Sequence, residues 1–345
     1  MLLLESLPTV IGAAAVAPAL LILWLVVAAD ERPGPAAPIW IAFLLGAASI
    51  SLLGIVRAPF AAILAIPENP WLTQAFRSVF AVAAPEEIVK ALVIVLVSMR
   101  RQAFADPMDT VVYGAAAGLG FAAYENLAYL VLHAEMWRSL AMLRSVLTVP
   151  FHGALGIIAG AYLAIARSGT ALGANRRHRD WARISNWCLV LFAPIALHAA
   201  FDFPLLSLQQ HPDLDPLSRT VLGSSSVLIG FISIGFAMRL VRRVGRHRTL
   251  RTDAARARLS QLRRMWALLV AGGGAGFAGM AFVLTSIHHW LINPDRNPAM
   301  ILIPIGLISI LIGIALLVAT TAIYVFGRNR MRTRSEGFSS APGRG

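Results

Sequence analysis

The chain has 345 residues, 58% of them hydrophobic and 14% charged, with a formal net charge of +13 and a mean hydropathy of +0.71. This excludes an ordinary soluble domain and indicates a polytopic membrane protein. The basic charge argues for lipid head groups rather than nucleic acid, because arginine clusters in the short segments between apolar stretches and at the C-terminus.

About 20 apolar residues cross the hydrocarbon layer as a helix. In chain order the sequence predicts nine such helices: 8–29, 37–57, 75–98, 109–132, 143–167, 184–206, 219–241, 265–288 and 299–325. The first, lacking a basic leader and too long for a signal peptide core, reads as an uncleaved span. Cys188, the single cysteine, excludes a disulfide framework and reads as a small buried hydrophobe. Trp24, Trp40, Trp71 and Trp290 read as interface anchors, and His133, His288 and His289 as interfacial residues.

Orientation follows from arginine. Arg100 and Arg101, the loop 167–183, the ten arginines of 239–264 and the tail after Gly327 fall on one side if the N-terminus is outside and the C-terminus cytoplasmic. Arg57, Arg77, Arg138 and Arg144 are exceptions on the other side. The resulting division is two N-terminal helices (1–73), a four-helix catalytic core (74–206), three C-terminal helices with the arginine-rich loop (207–326) and a disordered basic tail (327–345).

Ionisable residues lie deep inside only the third to sixth spans. The third carries Glu86, Glu87 and Lys90, and Lys90 is the only lysine in the chain. The fourth carries Phe121, Glu125 and Asn126, the fifth His152 and Gly156, the sixth His198 and Asp202. Each charge at bilayer depth costs about 2.5–3.5 kcal/mol on insertion scales, so such residues mark function or must neutralise one another. Lys90 is three and four residues from the two glutamates and can pair with either. At 1.5 Å per residue Glu87, Glu125, His152 and His198 fall at similar depths, about 10–18 Å below the outer surface, with Asp202 about one turn shallower. Glycines at 114, 118, 120, 153, 156 and 160 permit close helix approach.

Carboxylates and imidazoles in a partly dry site suit water activation. Glu86 or Glu87 can act as general base on a water attacking a carbonyl, and His198 oriented by Asp202 can stabilise the oxyanion. Glu87, Glu125, His152 and His198 also suit zinc, although no HExxH is present. A proton- or cation-coupled transporter and a non-catalytic scaffold are the rival readings. No convincing inverted repeat supports the first of these.

The motifs Glu86-Glu87-xx-Lys90, Phe121-xxx-Glu125-Asn126, His152-xxx-Gly156 and His198-xxx-Asp202, in this order, resemble those of the PrsW family of intramembrane proteases. That family is similar to the CAAX-processing and bacteriocin-immunity membrane proteases. The resemblance covers about residues 74–206. It implies hydrolysis of a peptide bond in a membrane-protein substrate, an anti-sigma factor for the founding activity, in a bacterial cytoplasmic membrane. It also implies that Glu86 or Glu87 activates water and that His198 with Asp202 stabilises the oxyanion. Glu125 stands where CAAX-type relatives have histidine. Whether the mechanism is glutamic or metal-dependent stays open.

Overall fold

The structure, a computed structural model, describes residues 7–30, 34–61, 69–99, 106–168 and 176–245. The predicted spans 265–288 and 299–325, most of the arginine-rich loop and the basic tail lie outside the described residues. Every regular element within them is a helix. α1 spans Leu7–Ala29. α2 (Ala36–Ala48) runs through a 3-10 turn, Ser49–Leu52, into α3 (Leu53–Arg57) and a second turn at Ala58–Phe60.

The charged helical run comes next, in three pieces. α4 (Pro70–Phe76) starts cleanly, because Asn69 accepts from the backbone N–H of Trp71 at 2.9 Å and of Leu72 at 3.2 Å, with Pro70 in the first turn. A π-helical segment, Arg77–Ala83, leads into α5, Ala84–Ser98. Pro85 explains the wide turn: it has no N–H for the carbonyl four residues back, and its ring crowds that carbonyl. The chain relieves this by donating the Ala84 N–H to the Val79 carbonyl. The widened turn directly precedes Glu86 and Glu87.

α6 (Pro107–Leu132) opens on a capping box between Asp106 and Asp109. A short helix, α7 (Trp137–Val146), is followed by α8 (Thr148–Ser168). The predicted fifth span, 143–167, lies within one helical run, Ala134–Arg167, that is interrupted at Leu147. Pro150 falls in the first turn of α8, where its missing N–H costs nothing. α9 is Arg176–Gln210 and α10 is Pro216–Gly245.

Six helices among the described residues are long and apolar enough to cross a membrane: Thr9–Ala29, Ala36–Phe60, Pro107–Leu132, Ala134–Arg167, Ala182–Gln210 and Pro216–Gly245. The chain is a multi-pass, all-helical membrane protein. The helical run 70–98 corresponds to the predicted third span and differs from the six in carrying Glu86, Glu87 and Lys90 at its centre.

α6 is the central helix, packed on α8, α2 and α1, and is buried continuously from Asp109 to Ala123. Glycine permits this. A Cβ on Gly114 would meet the Gly156 carbonyl, on Gly118 that of His152, and on Gly160 that of Thr110. On the opposite side, Cβ atoms on Gly46 and Gly120 would meet the Ala117 and Phe43 carbonyls. α6 thus touches α8 and α2 backbone to backbone. At the far end of α5, Arg167 of α8 donates to the Ser98 carbonyl at 2.7 Å and so satisfies the last helical turn. Cys188 is exposed on α9, contrary to its expected burial. Its helix turns that side chain away from the apolar core.

Gly156→Ala drives a methyl group into the Gly114 carbonyl and is expected to cost about 1–3 kcal/mol. Gly235→Ala, which meets nothing within 4 Å, should leave stability within about 0.5 kcal/mol. Thermal unfolding in detergent compares the two.

Candidate active site

α5, α6, α8 and α9 bring the deep polar residues together. Glu86, Glu87 and Lys90 are all buried, as are His152 and His198. The centre is the Lys90 ammonium. It donates to Glu87 Oε1 at 2.8 Å and approaches His152 Nδ1 at 2.9 Å. Glu86 Oε2 lies 3.7 Å away. The Phe121 ring sits beneath it, 4.0 Å from nitrogen to centroid, so the ammonium is enclosed by two carboxylates, an imidazole and a π face.

His198 faces carboxylates on both edges. Its Nδ1 is 2.7 Å from Glu87 Oε1, and its Nε2 is 3.1 Å from Asp202 Oδ2 and 3.8 Å from Glu86 Oε2. Phe151 packs edge-on against His198, with centroids 5.6 Å apart, and stacks on Phe201 at 4.2 Å. The two imidazoles meet edge to face at 5.2 Å. The seam of α6 and α8 sets this spacing, because Gly118 lies directly against the His152 carbonyl.

Glu125 and Asn126 form the outer part of the cluster. His152 Nε2 is 2.9 Å from Glu125 Oε2. Arg144 donates to that same oxygen at 2.7 Å and to Asn126 Oδ1 at 2.7 Å, while covering the Tyr129 ring at 4.1 Å. Gly156 does not touch the charged groups; it belongs to the α6–α8 seam.

Two participants are absent from the motifs. Arg144 is one. Arg57, at the end of α3, is the other: it reaches Glu86 Oε1 at 3.7 Å while its own side chain is 45% exposed. Both were exceptions to the arginine asymmetry. An arginine on the side where arginines are scarce was the signal available in the sequence.

The donor atoms that converge are those of Glu86, His152 and His198, mutually within 4.8 Å. The zinc set expected from sequence named Glu87 and Glu125 instead. Glu87 is engaged by Lys90 and His198, and Glu125 by Arg144 and His152. Glu86 Oε2 is buried without a hydrogen-bond partner among the described residues. Two imidazoles and one carboxylate are chemically suited to a zinc-like ion with an open position for water, which would replace one present contact of each ring: Lys90 or Glu125 at His152, Glu87 or Asp202 at His198.

The fold and this cluster define a class: a helical membrane protein with a buried, charge-compensated cluster of carboxylates, histidines and one lysine. Residues 34–238 match the family described as PrsW family intramembrane metalloprotease, and the chain belongs to that family. It is 34% identical over 123 residues to Protease PrsW of Bacillus subtilis, covering 36% of this chain and 51% of that protein. It is 30% identical over 195 residues to Protease PrsW of Oceanobacillus iheyensis, covering 56% and 81%. For Protease PrsW of Geobacillus kaustophilus the figures are 31% over 122 residues, 35% and 48%. The chain thus spans about half the length of two of these relatives and four-fifths of the third. No solved structure matches. The family and relatives' names indicate a peptide hydrolase.

Lys90→Met would leave buried carboxylates without their ammonium and should cost about 3–5 kcal/mol. Adding Glu87→Gln removes one of the stranded charges and should recover part of the loss. Denaturation in detergent measures both.

Proposed function

We propose that this protein is an intramembrane endopeptidase that hydrolyses a peptide bond of a membrane-protein substrate. The observation that carries this reading is Glu86 Oε2, a buried carboxylate oxygen without a hydrogen-bond partner among the described residues and beside two histidines. Glu86 is the group with an oxygen left to accept a proton from water. Glu87 is held by Lys90 and by His198 Nδ1 and is the fixed negative charge that keeps His198 in place. His198, held at Nδ1 by Glu87, has its Nε2 edge toward Asp202 and Glu86 and turns that N–H from Asp202 to the developing oxyanion. Glu125 holds His152 rather than acting on the substrate.

A metal ion would be held by Glu86, His152 and His198, and when bound it would polarise the scissile carbonyl and acidify a water. The remaining chemistry belongs to the side chains: Lys90 balances the carboxylates and Phe121 and Phe151 line the histidines. A glutamic route and a metal-dependent route both use Glu86.

The expected topology completes the reading. It has nine spans with the N-terminus outside, the catalytic core at 74–206, and arginine-rich cytoplasmic segments against anionic lipid. The host membrane is a bacterial cytoplasmic membrane. An anti-sigma factor is the substrate class that the family resemblance supplies. A substrate helix must unwind to expose its backbone in the site, which suits cleavage near the extracytoplasmic side.

Removing a general base typically costs about 10²–10⁴-fold, so Glu86→Gln should slow cleavage at least ~100-fold. New protein N-termini in membranes expressing wild type but not Glu86→Gln would identify substrate and bond together. Equal termini from both proteins, each folded and abundant, would sink the reading. Proton flux in liposomes that depends on Glu86 would favour a transporter instead. Zinc titration of chelator-treated protein should show affinity falling at least ~10-fold in His198→Ala.

A further inference from the structure

Arg144 lies on α7, outside every motif, yet it is 8% exposed and ends in the polar cluster. Its guanidinium spans two acceptors on α6: Nη2 donates to Glu125 Oε2 and Nε to Asn126 Oδ1, both at 2.7 Å. The Tyr129 ring backs it at 4.1 Å. This is a rigid, two-armed hold on one carboxylate, which a flexible point charge would not supply.

What the carboxylate does next decides the matter. Glu125 Oε2 lies 2.9 Å from His152 Nε2, and Lys90 Nζ lies 2.9 Å from His152 Nδ1. An ammonium has hydrogens and no lone pair, so Nδ1 must accept. Nε2 must then carry the hydrogen and donate it to Glu125. Phe121 and Phe151 flank the imidazole, with centroids 5.6 and 5.9 Å away, and limit its tilt. The imidazole therefore has one tautomer and one orientation, with its lone pair turned toward the Lys90 and Glu86 side. Histidine function depends on which nitrogen holds the proton, and the partner of the other nitrogen fixes that.

We propose that Arg144 is a positioning residue: by fixing the Glu125 carboxylate it gives the Nε2–H of His152, the tautomer that Lys90 imposes, a single acceptor, and so holds the ring in one orientation with its Nδ1 lone pair aimed into the site. Its effect on turnover rests on the protease reading above. The ring orientation itself is measured without substrate.

The test is the ¹⁵N spectrum of histidine-labelled full-length protein in detergent micelles, with the His152 signals assigned by their loss in His152→Gln. Wild type should show a single Nε2–H signal at His152. Arg144→Met should keep the tautomer, which Lys90 sets, but split or broaden that signal as Nε2–H loses its fixed acceptor, with kcat for a cleaved membrane substrate reduced about 10–100-fold, as for other residues that orient a site histidine, and KM changed little. Arg144→Lys keeps the charge but cannot span both acceptors. It should give a lesser splitting of the Nε2–H signal and an intermediate kcat, and it decides the question if Arg144→Met does not fold. An unchanged single Nε2–H signal in both folded variants, with only a lower melting temperature, would overturn the proposal. Cleavage absent from wild type would count against the protease reading and leave the orientation result standing on its own.

Discussion

The Lys90 ammonium is the interaction on which the rest of the site depends. In low dielectric, two adjacent carboxylates and a third nearby repel strongly, and an isolated lysine is as costly as an isolated glutamate. Lys90 settles both problems at one point, with Glu87 at 2.8 Å, His152 at 2.9 Å and Glu86 at 3.7 Å. Two of its three hydrogens have assigned acceptors. Glu87 is fixed, His152 must present a lone pair, and Glu86 keeps one oxygen without a hydrogen bond among the described residues. The chemistry of the cluster follows from the geometry of one cation.

That geometry needs helices closer than ordinary side chains allow. His152 reaches Lys90 because α8 lies on the glycine face of α6, with Gly118 against the His152 carbonyl and Gly114 against Gly156. The π-helical segment before Pro85 works on the other side, since it sets the rotation at which α5 presents Glu86 and Glu87. Lipid supplies no hydrophobic force between helices, so packing of this kind and polar links hold the bundle together. Stability and the site therefore share residues, with Gly156 and Gly118 as the clearest cases.

Much of this was legible in the sequence. The helical class came from composition and run length, and the participation of Glu86, Glu87, Lys90, Glu125, His152, His198 and Asp202 came from charge at bilayer depth. Spacing also gave Lys90 its two glutamates, because partners three or four residues apart share a helix face. Other features were hidden. Arg57 and Arg144 looked like departures from a topology rule, and their partners lie 29 and 19 residues away in the chain. The interruption at Leu147, which sets Arg144 on the short α7 before α8 within the run Ala134–Arg167, was not visible in a hydrophobicity pattern.

The sequence by itself determined that this is a membrane-embedded helical protein with a charged centre on four successive helices, because burying those charges in lipid is too costly without a purpose. Only the tertiary structure decided the division of labour within that centre. Which of two adjacent glutamates is hydrogen-bonded and which keeps an oxygen without a hydrogen bond among the described residues depends on the direction of a lysine, two histidines and an arginine in space. Helical periodicity places side chains on a face, but it does not fix their partners across the bundle. That Glu86, rather than Glu87 and Glu125, joins His152 and His198 in the metal-capable group follows from which donor atoms the helices bring close together.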